Sequence, residues 1–90
     1  MDMELIVAKE SMRAAVARKI QCPISGRVLD IKRAIMVEVT MTNGKILTEV
    51  AHVDEEDELR ARVEKIKNLP NVSGIEWYDG RELFGRRATK

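Results

Sequence analysis

The residues best suited to metal or nucleophile chemistry lie in one short turn, Cys22-Pro23-Ile24-Ser25-Gly26. Turns of the form Cys-Pro-x-Cys-Gly often hold zinc, because two thiolates close in sequence supply half of a tetrahedral ligand set. Here Ser25 stands at the position of the second cysteine. The 90-residue chain has one cysteine and one histidine, too few for the usual four ligands. We therefore predict a tight turn with Cys22 buried as a small hydrophobic residue, and no metal or cofactor.

A nucleophilic Cys22 is the second chemical possibility. A reactive thiolate needs a base or a helix N-terminus beside it. Cys22 follows a predicted helix, at the end whose dipole disfavours negative charge. His52, the single histidine, is expected at the end of a strand, where a hydrogen-bonded imidazole is the plainer interpretation. We predict no enzyme activity, and a cleft that joined Cys22, His52 and a carboxylate would reverse that prediction.

A protein-binding surface is the third possibility. Glu38 and Glu49 face each other in the predicted hairpin, where two carboxylates could do acid–base work, bind a cation or meet a cationic partner. Like charges across a ladder repel, so a solvent-exposed face is the simplest explanation. The candidate partner-binding residues are those of this face and of the acidic helix start, together with one aromatic residue: Glu38, Leu47, Glu49, Asp54, Glu55 and Tyr78.

Nucleic-acid binding is the alternative. Sixteen Lys and Arg against fifteen Asp and Glu give a net charge of +1, so no overall field draws the chain onto a polyanion. A local phosphate-binding patch would need basic residues that are scattered along the chain to meet in space. The candidates for this patch are Arg27, Lys32, Arg33, Arg86 and Arg87.

Residues 9–20 are expected to form the first helix, rich in alanine, with Met12, Val16 and Ile20 on one face and Leu5 and Ala8 extending it. Residues 34–42 and 45–52 are expected to form a long hairpin around Asn43-Gly44, a favoured two-residue turn. That turn predicts a definite register: Thr42 with Lys45, Met41 with Ile46, Val39 with Thr48, Val37 with Val50 and Ile35 with His52.

Asp54 is expected to cap the second helix, whose apolar face carries Leu59, Val63, Ile66 and Leu69. A strand over residues 72–78 should follow, with Trp77 in the core and Tyr78 on the opposite face. Asp79-Gly80 predicts a C-terminal hairpin with a strand at 81–84, and residues 85–90 a frayed basic tail.

These elements predict a single α+β domain over residues 1–90, in which a mainly antiparallel sheet packs one face on both helices. A ferredoxin-like βαββαβ arrangement is the alternative, if residues 4–7 form a strand. No apolar run approaches the roughly 20 residues of a membrane span, and a single cysteine suits a reducing cytoplasm. We expect a non-enzymatic protein-binding or regulatory module, of the size common among phage and mobile-element accessory proteins. A protein partner is expected, and a homodimer is left open.

Overall fold

The computed structural model of the chain describes residues 3–85, apart from the side chains of Glu4 and Leu5. Its order is helix α1 (Met3–Lys19), strands β1 (Ala34–Met41) and β2 (Ile46–His52), helix α2 (Glu56–Ile66) and strand β3 (Val72–Asp79). The strands form one antiparallel sheet in the order β2-β1-β3. The α+β prediction is therefore confirmed. The ferredoxin-like alternative is not, since residues 4–7 belong to α1. The predicted tail at 86–90 lies outside the described residues.

Helix α1 begins before residue 9, where the predicted helix starts, and it buries Ala8, Met12 and Ala15. The predicted face was wrong at Ile20, which is 63% exposed and follows the last helical residue. Ile20 has a φ of 64°, in the left-handed region that glycine favours. Its N–H still donates to the carbonyl of Val16. Ile20 thus ends the helix in a conformation that is unfavourable for a β-branched side chain.

The β1–β2 hairpin forms, but its register differs by one residue from the predicted one. Ile35 pairs with Ala51, Val37 with Glu49 and Val39 with Leu47. The N–H of Gly44 donates to the carbonyl of Met41, and Gly44 has a φ of 90°. The loop therefore has three residues and ends in a left-handed glycine, the next commonest hairpin after the two-residue type. The extra loop residue explains the shift.

The shifted register decides which residues share a face of the sheet. Opposed residues of an antiparallel pair point to the same side, so Val37, Val39, Leu47 and Glu49 lie together. Leu59 and Val63 of α2 line one groove with them. On the other face Ala34, Met36 and Val50 are fully buried, and α1 packs against β1 and β2. The helices thus cover opposite faces, and the expectation of both on one face was wrong.

The start of α2 also differs from the prediction. A short 3-10 helix, Val53–Glu55, precedes it, and the imidazole of His52 accepts the N–H of Asp54 at 3.1 Å from Nδ1. His52 thus caps the 3-10 helix, whereas α2 begins after Glu55 without a capping side chain, and the predicted Asp54 cap was wrong. The predicted apolar face is confirmed at Leu59 and Val63, which are buried, and Glu56 pairs with Arg60 one turn later at 2.7 Å.

The predicted C-terminal hairpin is not formed. After β3 the chain continues as one turn of π-helix, Arg81–Gly85, and β3 pairs with β1 instead. Gly80 packs so closely on the 3-10 helix Ile31–Arg33 that a Cβ there would overlap the carbonyl oxygen of Ile31. The Arg81 side chain folds back onto the carboxylate of Asp79 at 2.7 Å. The close approach of Gly80 to Ile31 explains why the chain turns away after β3 instead of returning as a strand.

Candidate functional site

The turn at Cys22 is a small closed hairpin. The Cys22 N–H donates to the Arg27 carbonyl at 2.7 Å, and the Gly26 N–H donates to the Cys22 carbonyl at 2.8 Å. Gln21 and Val28 form a single bridge beyond it. Gly26 has a φ of 80°, which explains why glycine stands there. The turn places the Cys22 side chain, 2% exposed, against the core.

The Cys22 sulfur lies in a cluster of hydrogen-bond donors. Burial raises the pKa of the thiol, but hydrogen bonds from the His52 N–H, the Ser25 hydroxyl and the Ser25 and Ile24 N–H groups lower it below its ordinary value of 9.0. The Ser25 oxygen also accepts the N–H of Arg27, at 3.4 Å. Ser25 thus offers a hydroxyl to the surroundings of the sulfur where a zinc-binding turn would have a second thiolate. Among residues 3–85, no group of three or more His, Cys, Asp and Glu side chains could hold a metal ion.

Cys22 and His52 meet, but through the histidine backbone. The His52 N–H lies 3.4 Å from the Cys22 sulfur, whereas Nδ1 of the imidazole accepts the N–H of Asp54. Nδ1 is therefore engaged as an acceptor in capping, and the proton of the neutral ring lies on Nε2. The carboxylate of Asp54 is 3.6 Å from Nδ1. This arrangement stabilises the end of β2 and does not align a base on the thiol.

Three predicted binding residues pair with one another beside this turn. The Arg27 guanidinium lies 2.7 Å from the carboxylate of Asp54 and 3.7 Å from that of Glu55. The predicted acidic partner surface and the predicted phosphate patch thus share one ion-pair network. Lys32 and Arg33 are exposed on their 3-10 helix. Arg86 and Arg87 lie outside the described residues.

The predicted opposition of Glu38 and Glu49 was wrong. Glu38 faces Thr48 on β2 and Glu76 on β3, while Glu49 faces Val37 on the other side of the sheet. The one-residue shift of register is the cause. Tyr78 lies on the face opposite to that of Trp77, as predicted, and so shares a face with Glu38. It is half-buried and packs on the core. Its hydroxyl donates to Glu76 at 3.4 Å.

Leu47 and Glu49 instead border a groove of about 380 Å³ between β2 and α2. Most of this groove was not predictable from the two-residue turn, because the register that it implies puts Leu47 and Glu49 on the polar face. A three-residue loop would have given the right pairing, and Gly44 at its last position was the available signal. The groove is lined by apolar residues with two charged side chains: Val37, Val39, Leu47, Thr48, Glu49, Leu59, Arg62, Val63 and Ile66.

The outer edge of β2 runs along this groove. The Met41 N–H donates to the Lys45 carbonyl at 2.7 Å, so that pair is hydrogen-bonded. Because hydrogen-bonded and non-hydrogen-bonded pairs alternate, the backbone groups of Ile46, Thr48, Val50 and His52 point away from β1. Cys22 accepts the His52 N–H, and Val50 is fully buried. The accessible part of the edge is therefore Ile46 to Thr48.

Within residues 3–85, no helix is both long and apolar enough to cross a membrane. Comparison of the chain with protein-family models, with curated proteins and with solved structures gave no match.

Proposed function

We propose that this chain is a non-enzymatic protein-binding module that takes up an extended segment of a protein partner along the edge of β2. The observation that supports this most is the accessible edge at Ile46 to Thr48, with the groove of β2 and α2 beside it. An added strand gains affinity from backbone hydrogen bonds, and a neighbouring groove selects its side chains.

The accessible part of the edge, Ile46 to Thr48, carries no charged residue or proline to protect it against strand addition. Proteins commonly protect edge strands with charged residues, proline or a bulge. Here the two residues at the open end are Ile46, 57% exposed, and Leu47, 50% exposed. They point to opposite faces, so a partner strand would cover both. A reducing cytoplasm suits the free, buried Cys22, and we place the function there.

Photo-crosslinking at position 47 tests the proposal. A photoreactive amino acid in place of Leu47 should capture a defined protein from cells that contain the chain. Thr48→Pro removes an outward N–H without removing a bond to β1, so it should reduce capture about tenfold or more. Thr48→Val keeps the N–H and the branched shape and should leave capture unchanged. Equal capture by Thr48→Pro, with an unchanged circular dichroism spectrum, would show that the edge is not used.

Nucleic-acid binding is the alternative function, and it now has less support. Arg27, the first residue of the predicted patch, is paired with Asp54 and Glu55. A gel shift with single- and double-stranded DNA and RNA at low salt tests it, since contacts to phosphate are strongest there. Binding that weakens in Lys32→Ala and Arg33→Ala would favour this alternative.

A further inference from the structure

We infer that the segment which fits this edge is β2 of a second copy of the chain, giving a symmetric dimer with one six-stranded sheet. This inference rests on the proposed use of the β2 edge and names its occupant. The sheet ends at β2, so a second β2 would continue it. Closed two-fold dimers are the commonest protein oligomers, and their interfaces must be self-complementary.

The two-fold axis allows few registers. It runs perpendicular to the joint sheet, so each face of one copy continues into the same face of the other. Opposed side chains must share a face, which requires the axis to pass through a residue pair and not between residues. Within the exposed half of β2 the axis can pass through Ile46, Leu47, Thr48 or Glu49. An axis through Ile46 would set the outward groups of Thr48 against Gly44 of the turn, whose N–H already donates to the Met41 carbonyl.

Two of the other three registers are also disfavoured by the structure. An axis through Glu49 places two glutamates directly opposite each other, and like charges at that position repel. An axis through Thr48 pairs Ile46 with Val50 and needs the outward backbone groups of Val50. Val50 is 0% exposed, so those groups are already covered. The remaining register has its axis at Leu47.

The register centred on Leu47 satisfies both the backbone and the charges. Ile46 of each copy pairs with Thr48 of the other. The outward N–H and C=O groups of these two pairs form four hydrogen bonds. Leu47 lies against the second copy's Leu47 and covers its exposed side chain. Lys45 lies opposite the second copy's Glu49 on the same face, and the two-fold axis repeats this pair of opposite charges.

The same structure explains where the pairing stops. Cys22 accepts the outward N–H of His52, and the turn that carries Cys22 occupies the far end of the edge. At the other end the chain turns into β1 at Gly44. The pairing therefore spans Lys45 to Glu49. Both α1 helices lie on one face of the joint sheet and both α2 helices on the other.

Sedimentation equilibrium of the purified chain tests the inference. The protomer mass is 10.2 kDa, and we expect a concentration-dependent rise to twice that mass. Lys45→Glu and Glu49→Lys each turn two attractive pairs into repulsive ones, and each should weaken dimerisation about tenfold. The double variant restores opposite charges and should recover the dimer. Lys32→Glu makes the same charge change away from the edge and should have no effect.

Disulfide trapping tests the position of the axis. On a Cys22→Ser background, Leu47→Cys should crosslink two copies readily, because it opposes itself in a non-hydrogen-bonded pair. Thr48→Cys should crosslink poorly, and the reverse order would overturn the register. A chain that stays monomeric up to about 1 mM overturns the dimer, whereas the proposed function stands if position 47 still captures another protein. A dimer that is indifferent to both charge reversals also overturns the inference.

Discussion

The backbone N–H of His52 donates a hydrogen bond to the sulfur of Cys22, with 3.4 Å between nitrogen and sulfur. This bond joins the first turn of the chain to the last residue of β2, thirty positions later in the sequence. It gives Cys22 a structural role as an acceptor for an outward-facing strand N–H. The bond also limits the open edge of β2 to its first half.

Removal of that acceptor should destabilise the fold. Cys22→Ala leaves the buried His52 N–H without its partner and should lower the free energy of unfolding by about 1–3 kcal/mol. Cys22→Ser has a similar volume and keeps an acceptor, so its loss should be smaller. Urea denaturation measures both, with the exposed Val28→Ala as a control on the same turn. Equal losses for the alanine and serine variants would show that the hydrogen bond contributes little.

The same cluster predicts a pH dependence. Burial raises the pKa of Cys22, but the hydrogen bonds from the surrounding donors together lower it by more. The folded-state pKa therefore lies below the ordinary value of 9.0. The unfolded chain then holds the proton to higher pH, and stability rises with pH across the interval between the two pKa values. This contribution is complete above about pH 9 and is lost as pH falls through the folded-state pKa. Denaturation of the native chain and of Cys22→Ser from pH 7 to 9.5 should show a widening difference, and a narrowing one would contradict it.

Ile20 offers a stabilising substitution. Its φ of 64° is costly for a β-branched residue, and its side chain is largely exposed. Ile20→Gly should therefore raise the free energy of unfolding by about 1 kcal/mol. Val28→Gly, at an exposed position without positive φ, should lower it instead. A thermal melt distinguishes the two, and a lower melting temperature for Ile20→Gly would mean that the apolar side chain outweighs the strain.

The hairpin register can be tested by disulfide formation within one chain. On a Cys22→Ser background, Glu38→Cys and Thr48→Cys should form a disulfide because they are direct neighbours on one face. Glu38→Cys with Glu49→Cys should not, because those side chains point to opposite faces. Mass spectrometry after mild oxidation gives the answer. The reverse result would restore the register that the two-residue turn predicts.

Gly80 and Gly74 should respond differently to the same change. A Cβ at Gly80 would overlap the Ile31 carbonyl oxygen, so Gly80→Ala must displace backbone and should cost about 1–3 kcal/mol or more. A Cβ at Gly74 meets nothing within 4 Å. Gly74→Ala should therefore change stability by less than about 0.5 kcal/mol. Similar melting temperatures for the two variants would show that the approach to Ile31 is not tight.

The long elements were predictable because their signals are local. Alanine content and apolar spacing predicted α1, apolar spacing predicted α2, and alternation of apolar residues predicted β1. The Asn43-Gly44 turn then predicted β2 as its return strand. Val72–Asp79 was predicted as a strand to within one residue. The failures lie at two turns, where the local turn signal predicted the wrong geometry. Asn43-Gly44 favours a two-residue loop, but the structure has three residues, and Asp79-Gly80 favours a hairpin where a close contact with Ile31 intervenes.

The sequence by itself determined the class of fold, the order of its long elements and the shortage of zinc ligands, since these depend on residue types and short-range periodicity. The tertiary structure decided that the helices cover opposite faces of the sheet, that Glu38 and Glu49 lie on opposite faces, and that Leu47 borders a groove. It also gave Cys22 its partner in the backbone of His52. These relationships depend on a one-residue difference in the register between β1 and β2 and on contacts between segments distant in the sequence. A side-chain period of two makes every face assignment change with a single step.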